Sequence, residues 1–194
     1  IRDRDYKDKQ EEGSVPTSQG TGQQTVVLNA AQATIRGLEV DFNWLLTETF
    51  RLEGNLGLLD ASFDEWVDPP TGTDLTYLKL RRAPDMTATI IPVLTFDVGN
   101  GLLTARAAWH YVDDMEYTIL NSPQSQAPAH STVDASLVYT LNKWSVSLWG
   151  LNLTDDDSWQ QGYDVGRDTQ FAGLWTYTAV RPPRAYGVNV SYQF

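Results

Sequence analysis

Every second residue carries the apolar character of this chain over most of its length. In RGLEVDFNWLL, Leu38, Val40, Phe42, Trp44 and Leu46 share one parity, and Gly37, Glu39, Asp41 and Asn43 share the other. After a polar break at 47–49 the alternation resumes, with Phe50, Leu52, Leu56 and Leu58 set against Arg51, Glu53, Asn55 and Gly57. Successive strand side chains point to opposite faces. Period two with charges at alternate positions therefore predicts strands with one face against something apolar and the other in water.

The same pattern returns along the chain. Ala88, Ile90, Leu94 and Phe96 oppose Thr87, Thr89 and Thr95, although Ile91 and Val93 blur the contrast. Leu103, Ala105, Ala107, Trp109 and Tyr111 oppose Thr104, Arg106, Ala108 and His110, and Val133, Ala135, Leu137, Tyr139 and Leu141 oppose Thr132, Asp134, Ser136 and Thr140. Trp144, Val146 and Leu148 face away from Ser145 and Ser147. The final run, YGVNVSYQF, places Tyr186, Val188, Val190, Tyr192 and Phe194 on one side.

Connections between these runs are of two kinds that alternate strictly. Those at 47–49, 98–101 and 142–143 are tight, and VGNG contains the Asn-Gly pair that favours hairpins. Those at 11–23, 67–83, 118–129 and 156–178 are long and rich in Gly, Pro, Ser and acids. Short turns at one end and long loops at the other is the layout of an outer-membrane barrel. The runs have the length a tilted membrane strand needs, about 9–11 residues. Trp44, Phe50, Phe96, Tyr139 and Trp144 sit beside the tight turns, where amphipathic rings favour the headgroup boundary.

The opening IRDRDYKDKQEEG differs, because charges occupy both parities. Each Lys or Arg facing lipid at the midplane would cost on the order of 2–4 kcal/mol. This stretch is therefore expected to be the wet upper part of a strand and not a spanning one. Open strand edges are not tolerated in hydrocarbon. The expectation is accordingly a C-terminal piece of a larger barrel; a small self-contained barrel is the second reading, and a soluble carbohydrate-binding β-sandwich the third.

Composition sharpens this. No 18-residue apolar run exists, so membrane-crossing helices are not expected, and the 41% hydrophobic content is what alternation leaves. A net charge of −11 argues against nucleic-acid binding. The absence of cysteine removes disulfides and thiolate metal sites. No signal-peptide pattern opens the sequence.

The segments YKDKQ, TVVLNAAQATIRGLEVDFNW, LEGNLGLLDASFDEW, RRAPDM, WGLNLTDD and RPPRAYGVNVSYQF, in this order, resemble the C-terminal barrel region of TonB-dependent outer-membrane receptors. The resemblance implies an all-β, antiparallel transmembrane barrel segment, residues 1–194 being about the last eight of roughly twenty-two strands. It also implies a bacterial outer-membrane location and TonB-dependent uptake of a scarce ligand, most often a ferric siderophore. Vitamin B12, haem and oligosaccharide are the other cargoes. Tyr186, Val188, Val190, Tyr192 and Phe194 match the family's C-terminal assembly signal position by position. Implied partners are outer-membrane lipid and lipopolysaccharide, the barrel-assembly machinery, the rest of the same barrel, and the TonB complex through a plug domain. Neither plug nor TonB box is recognisable in these residues, and both are expected outside them, together with the earlier strands.

Candidate chemistry is sparse. His110 and His130 form no motif, and His110 is expected to be a hydrated lining residue; no nucleophile signature surrounds them, so no catalytic residues and no enzyme activity are expected. The run 155–157 is Asp-Asp-Asp without the spacing of a calcium loop, and is expected to be a solvated acidic turn with no metal or cofactor. Asn152 formally opens a glycosylation sequon, which carries little weight in a bacterial outer membrane. Glu39, Asp41, Arg51, Glu53, Arg106 and Asp134 are expected to line the lumen. Trp159, Tyr163, Arg167, Phe171, Trp175 and Tyr177, in one long loop, are the candidate ligand contacts, since aromatics with a cation suit a bulky chelate.

Overall fold

A computed structural model describes residues 2–16, 23–68, 71–167 and 172–194. In chain order the strands are β1 (Arg2–Pro16), β2 (Gln23–Leu45), β3 (Phe50–Trp66), β4 (Met86–Val98), β5 (Gly101–Val112), β6 (Met115–Glu116), β7 (Gln126–Ala127), β8 (His130–Leu141), β9 (Trp144–Leu151), β10 (Trp159–Arg167), β11 (Ala172–Val180) and β12 (Ala185–Tyr192). Eight of them form one antiparallel meander in the order β1-β2-β3-β4-β5-β8-β9-β12. The pairs β6–β7 and β10–β11 are separate two-stranded sheets between the long strands. No helix among the described residues is long and apolar enough to cross a membrane.

The meander is a single layer, and its register preserves face identity from strand to strand. Leu38 opposes Leu58, Val40 opposes Leu56 and Trp44 opposes Leu52; Leu137 then opposes both Ala105 and Leu148, and Leu148 opposes Val188. Leu38, Val40, Leu94, Phe96, Leu137, Val146 and Leu148 are all exposed, and Val188 and Val190 remain 60% and 61% exposed. In water so large an apolar face would be covered by a second layer. None is present among the described residues, which overturns the sandwich reading. An antiparallel wall with one apolar and one wet face is the geometry of a membrane barrel. β1 and β12 are the two edges of this open sheet and do not pair with each other.

Register also explains the charged opening. β1 pairs with β2 from Arg2↔Gly37 up to Pro16↔Gln23, whereas residues 38–45 of β2 pair, among the described residues, only with β3. Both faces of a strand above the membrane meet water or loops, so charges on both parities are admissible there. The stretch 11–23, expected to be loop, is strand as far as Pro16 and again from Gln23.

At one height the apolar parity reverses. Below it, even-numbered residues of β2 and β3 carry the lipid face. Above it, Ala31, Ala33, Ile35, Leu59, Ala61 and Phe63 place apolar character on the opposite, polar-lumen side. The reversal falls between Gly37 and Leu38 on β2 and between Leu59 and Leu58 on β3, and those residues are paired across the ladder. The inward apolar patch is the floor of the molecule's main core, in which Ala31, Ala33, Phe63 and Trp66 pack with Leu75, Leu78 and Leu80 from the 67–83 connection. Outward at the same height are Gln32, Thr34, Arg36, Asp60 and Asp64, all polar. Thr34 Oγ1 donates to Asp64 (2.7 Å) and Arg36 pairs with Asp3 (3.4 Å). One strand thus holds lipid on one side below this level and loops on the other side above it.

Tight turns close the lower end. Between β4 and β5 the two central residues are Gly99 and Asn100, with Gly99 at φ 60° and Val98 already paired to Gly101. The expected Asn-Gly pair is therefore shifted by one position. A side chain at Gly101 would lie 2.6 Å from the Tyr139 ring, so this glycine leaves room for the aromatic. The Tyr139 hydroxyl donates to the Val98 carbonyl at 3.0 Å, tying the ring to the turn. Trp144, Tyr192 and Phe194 join it at this level, with centroid spacings of 4.8 and 5.3 Å. Trp109 and Tyr111, stacked at 5.9 Å, mark a second aromatic level nearer the loops.

Candidate functional site

The long connections do not project separately; polar side chains join them into one layer. Asn121 in the 113–129 connection pairs with the Lys79 backbone in both directions, Oδ1 accepting at 2.6 Å and Nδ2 donating at 3.0 Å. Lys79 Nζ reaches Asp114 (3.2 Å), and that contact holds the ammonium above its ordinary pKa. The Arg82 amide donates to the Glu116 carbonyl at 2.7 Å. Burial pushes the Glu116 carboxyl upward against the pull of Lys79, and its Oε2 has no hydrogen-bond partner among the described residues. From this middle loop, Ser122 Oγ donates to Asp164 at 2.6 Å and the Tyr117 hydroxyl donates to the Trp159 carbonyl at 2.8 Å. Both acceptors belong to β10.

The region expected to be one long loop, 156–178, is largely the β10–β11 hairpin. Its two faces have different fates. Gly162, Asp164 and Thr176 turn toward the 113–129 connection: Tyr117 packs on Gly162, and Thr176 Oγ1 shares Asp164 with Ser122 (2.7 Å). On the other face Tyr163 opposes Tyr177 and Val165 opposes Trp175, with Tyr163, Trp175 and Tyr177 all half or more exposed. Ile119 and Leu120 of the 113–129 connection pack against the core on the inner side of β2 and β3. β10 also comes into contact with β1, at the far edge of the sheet. The hairpin therefore lies across the polar side of the wall, with its aromatic face turned away from the loop beneath it.

A second cluster anchors the roots of this hairpin. Asn152, at φ 48°, ends β9 and uses its amide as a two-sided clamp. Nδ2 donates to the Asp156 and Pro182 carbonyls, both at 2.9 Å, while Oδ1 accepts from the Asp156 amide at 2.9 Å. Asp155 accepts from the Arg184 amide (3.0 Å) and pairs with its guanidinium (3.6 Å). The NLTDD and RPPR stretches are thus one joint, in which an asparagine tolerates the left-handed backbone and replaces missing ladder bonds. Asn152→Ala is expected to weaken this joint by about 2 kcal/mol or more, from unsatisfied carbonyls and backbone strain. Faster proteolysis within 152–158 in the outer membrane, at unchanged barrel content, is the readout.

The sequence-derived candidates are distributed as follows. Tyr163, Trp175 and Tyr177 are brought together; Trp159 stands at the hairpin root beyond a register irregularity, opposite Val180. Arg167 lies at the end of β10, and Phe171 is outside the described residues. Glu39, Asp41, Arg51, Glu53, Arg106 and Asp134 all fall on the face opposite the apolar one by register. Arg51 and Glu53 pair at 2.7 Å, and Asp134 accepts the Asn152 amide at 2.8 Å. His110 shares this face, 3.3 Å from Thr89 Oγ1. Tyr186, Val188, Val190, Tyr192 and Phe194 line the apolar side of the last strand and its end. Sequence reasoning gave no role to Asp164 or Arg181, and it named His130 and Asn152 without the contacts they make here, among them His130 Nε2 to Arg181 Nη2 at 2.6 Å. The hairpin did carry a signal, since Trp175, Tyr177 and Ala179 alternate with Thr176 and Thr178.

Comparisons agree with this geometry. Residues 3–153 match the family described as TonB dependent receptor-like, beta-barrel. The ferric yersiniabactin uptake receptor FyuA from Yersinia pestis superposes with a TM-score of 0.70 at 20% identity, over 87% of this chain and 25% of that one. The siderophore receptor PiuA from Acinetobacter baumannii gives 0.67 at 18% identity, over 94% and 25%. BauA, the ferric preacinetobactin receptor from the same species, gives 0.64 at 20%, over 96% and 26%. At such identities the likeness is one of fold, and the chain spans about a quarter of the length of these receptors.

Proposed function

The chain belongs to the TonB-dependent receptor β-barrel family of the bacterial outer membrane, and from that premise we propose that it forms the C-terminal wall and outer loops of a ferric-siderophore importer. The family is one of transporters and receptors, and the import proposed is non-enzymatic. Loops capture the chelate, a plug domain outside residues 1–194 gates the lumen, and contact with TonB through that plug supplies work. Lipid and lipopolysaccharide surround the apolar face. The barrel-assembly machinery reads the strand from Tyr186 to Phe194, and Glu39, Asp41, Arg51, Glu53, Arg106 and Asp134 line the water-filled side.

One observation carries the choice of cargo: an exposed face of Tyr163, Trp175 and Tyr177 lies over the polar side of the wall, on a hairpin whose reverse is held by the loop layer. Rigid aromatic rings there suit a bulky, partly apolar chelate by stacking and burial. Solved structures of like fold that are siderophore receptors point the same way. Replacing all three rings with Ala in the full-length receptor is expected to weaken chelate binding roughly tenfold or more. Iron-limited growth on a panel of ferric hydroxamate, catecholate and mixed chelates is the test. Growth on every chelate indistinguishable from wild type would sink the assignment of these rings.

A further inference from the structure

Behind the aromatic face of the β10–β11 hairpin runs a set of hydroxyls to which the import reading gives no task. Asp164 lies between Tyr163 and Val165 in the chain, and Thr176 between Trp175 and Tyr177. The two stand opposite each other across the hairpin, so they hold its reverse at the level of the rings. Thr176 Oγ1 donates to Asp164 Oδ1 at 2.7 Å, and Ser122 Oγ reaches Asp164 Oδ2 from the 113–129 connection at 2.6 Å. Ser122 has one hydroxyl proton and a second acceptor within reach, Ser125 Oγ at 2.8 Å. The carboxylate takes that proton, because a hydrogen bond to a charged acceptor is the shorter and stronger.

The Ser122 donor is itself fixed from behind. Ser125 Oγ commits its proton to the Ser122 carbonyl at 2.9 Å, so across the 2.6 Å to Thr118 Oγ1 it is Thr118 that donates. The Ser122 amide in turn donates to Thr118 Oγ1 at 3.3 Å. Ser122 and Ser125 are 1% and 0% exposed, so nothing arriving from outside can touch them. Asn121, one residue earlier, grips the backbone of Lys79 with both ends of its amide. Lys79 lies between Leu78 and Leu80, which pack in the core around Trp66. Two consecutive residues thus hold two separate structures, the core-bearing 67–83 connection and the hairpin.

We propose that Ser122 and Thr176, acting through Asp164, are positioning residues for cargo: they fix the orientation in which Tyr163, Trp175 and Tyr177 are presented, and Asn121 refers that orientation to the Trp66 core. Removing either hydroxyl takes a short hydrogen bond from the carboxylate, and the hairpin must shift to recover it from water. The rings on its other face shift with it. Rings held in place beforehand lose little freedom when a chelate stacks on them, whereas loosened rings must be ordered at the moment of binding. Affinity therefore depends on hydroxyls that the cargo never meets. This inference rests on the assignment of the three rings to cargo.

Equilibrium binding of radiolabelled ferric hydroxamate, catecholate and mixed chelates to outer membranes carrying the full-length receptor tests it. Wild type, Ser122→Ala, the ring-free variant Tyr163→Ala/Trp175→Ala/Tyr177→Ala and their combination make a double-mutant cycle. Ser122→Ala is expected to weaken binding roughly tenfold at unchanged receptor content and heat-modifiable migration, and to change it by less than about twofold once the rings are gone. Thr176→Val is expected to weaken binding in the same way, and Thr176→Ser, which keeps the hydroxyl, to bind as the wild type does. A loss from Ser122→Ala that is as large without the rings as with them overturns the positioning role. Wild-type binding by Ser122→Ala or Thr176→Val, where ring removal does weaken binding, overturns it too. Ring removal without effect overturns the cargo reading and this inference with it. Should Ser122→Ala not assemble, the Thr176 pair decides: a loss in Thr176→Val that Thr176→Ser restores supports positioning, and equal binding by the two overturns it.

Discussion

Leu148→Arg is expected to leave the receptor unassembled, while Ser147→Arg, one residue earlier, is expected to yield folded protein in the outer membrane. Leu148 lies between the two aromatic levels, with Leu137 on one side and Val188 on the other, all on the exposed apolar face. A guanidinium placed there meets hydrocarbon, at a cost of about 2–4 kcal/mol near the midplane. Ser147 is flanked by Val138 and Asn189 on the opposite face, where an Arg can extend into water. Heat-modifiable mobility and outer-membrane content of the two full-length variants are the measurements. Equal assembly of both, or failure of Ser147→Arg with success of Leu148→Arg, would refute the assignment of faces.

The second large effect is confined to the loops. Trp66 is buried, its ring 4.6 Å from Phe63, and its backbone organises the hairpin above it, with the Leu75 amide donating to its carbonyl at 2.8 Å. Truncating a buried tryptophan to alanine costs about 3–5 kcal/mol. The core it belongs to joins the 67–83 connection to the inner face of β2 and β3, and contributes nothing to the lipid-facing wall. Trp66→Ala is therefore expected to leave assembly intact and to open 67–83 to trypsin, which has Lys79, Arg81 and Arg82 as targets there. Wild-type protease resistance in this variant would show that the core does not hold the loop.

What was legible beforehand was the wall. Alternation such as Leu38-Glu39-Val40-Asp41-Phe42 is a direct consequence of lipid on one side and water on the other, so membrane depth writes itself into parity. The same rule flagged the first strand as lying above the membrane. Less was legible higher up, because Ala31, Ala33 and Ile35 are small and their partners come from a connection more than 30 residues later. The reversal of parity at Gly37 and Leu38 is visible only once Leu58 and Leu59 are known to stand opposite. Among the candidate contacts, Tyr163, Trp175 and Tyr177 converged because hairpin pairing brings residues 163 and 177 together. The contact between His130 and Arg181 was invisible for a different reason: the two are 51 positions apart, and nothing local marks either as a partner.

The level at which Gly37 meets Leu59 has a consequence for recombination. Everything outboard of it carries its own core and its own polar ties, and everything inboard is a wall with lipid on one face and polar side chains on the other. Receptors of this family exchanged at that latitude would transfer an intact loop layer onto a foreign transmembrane stave, with each portion still satisfied. A crossover placed a few residues inboard would instead strand oily side chains among sugars.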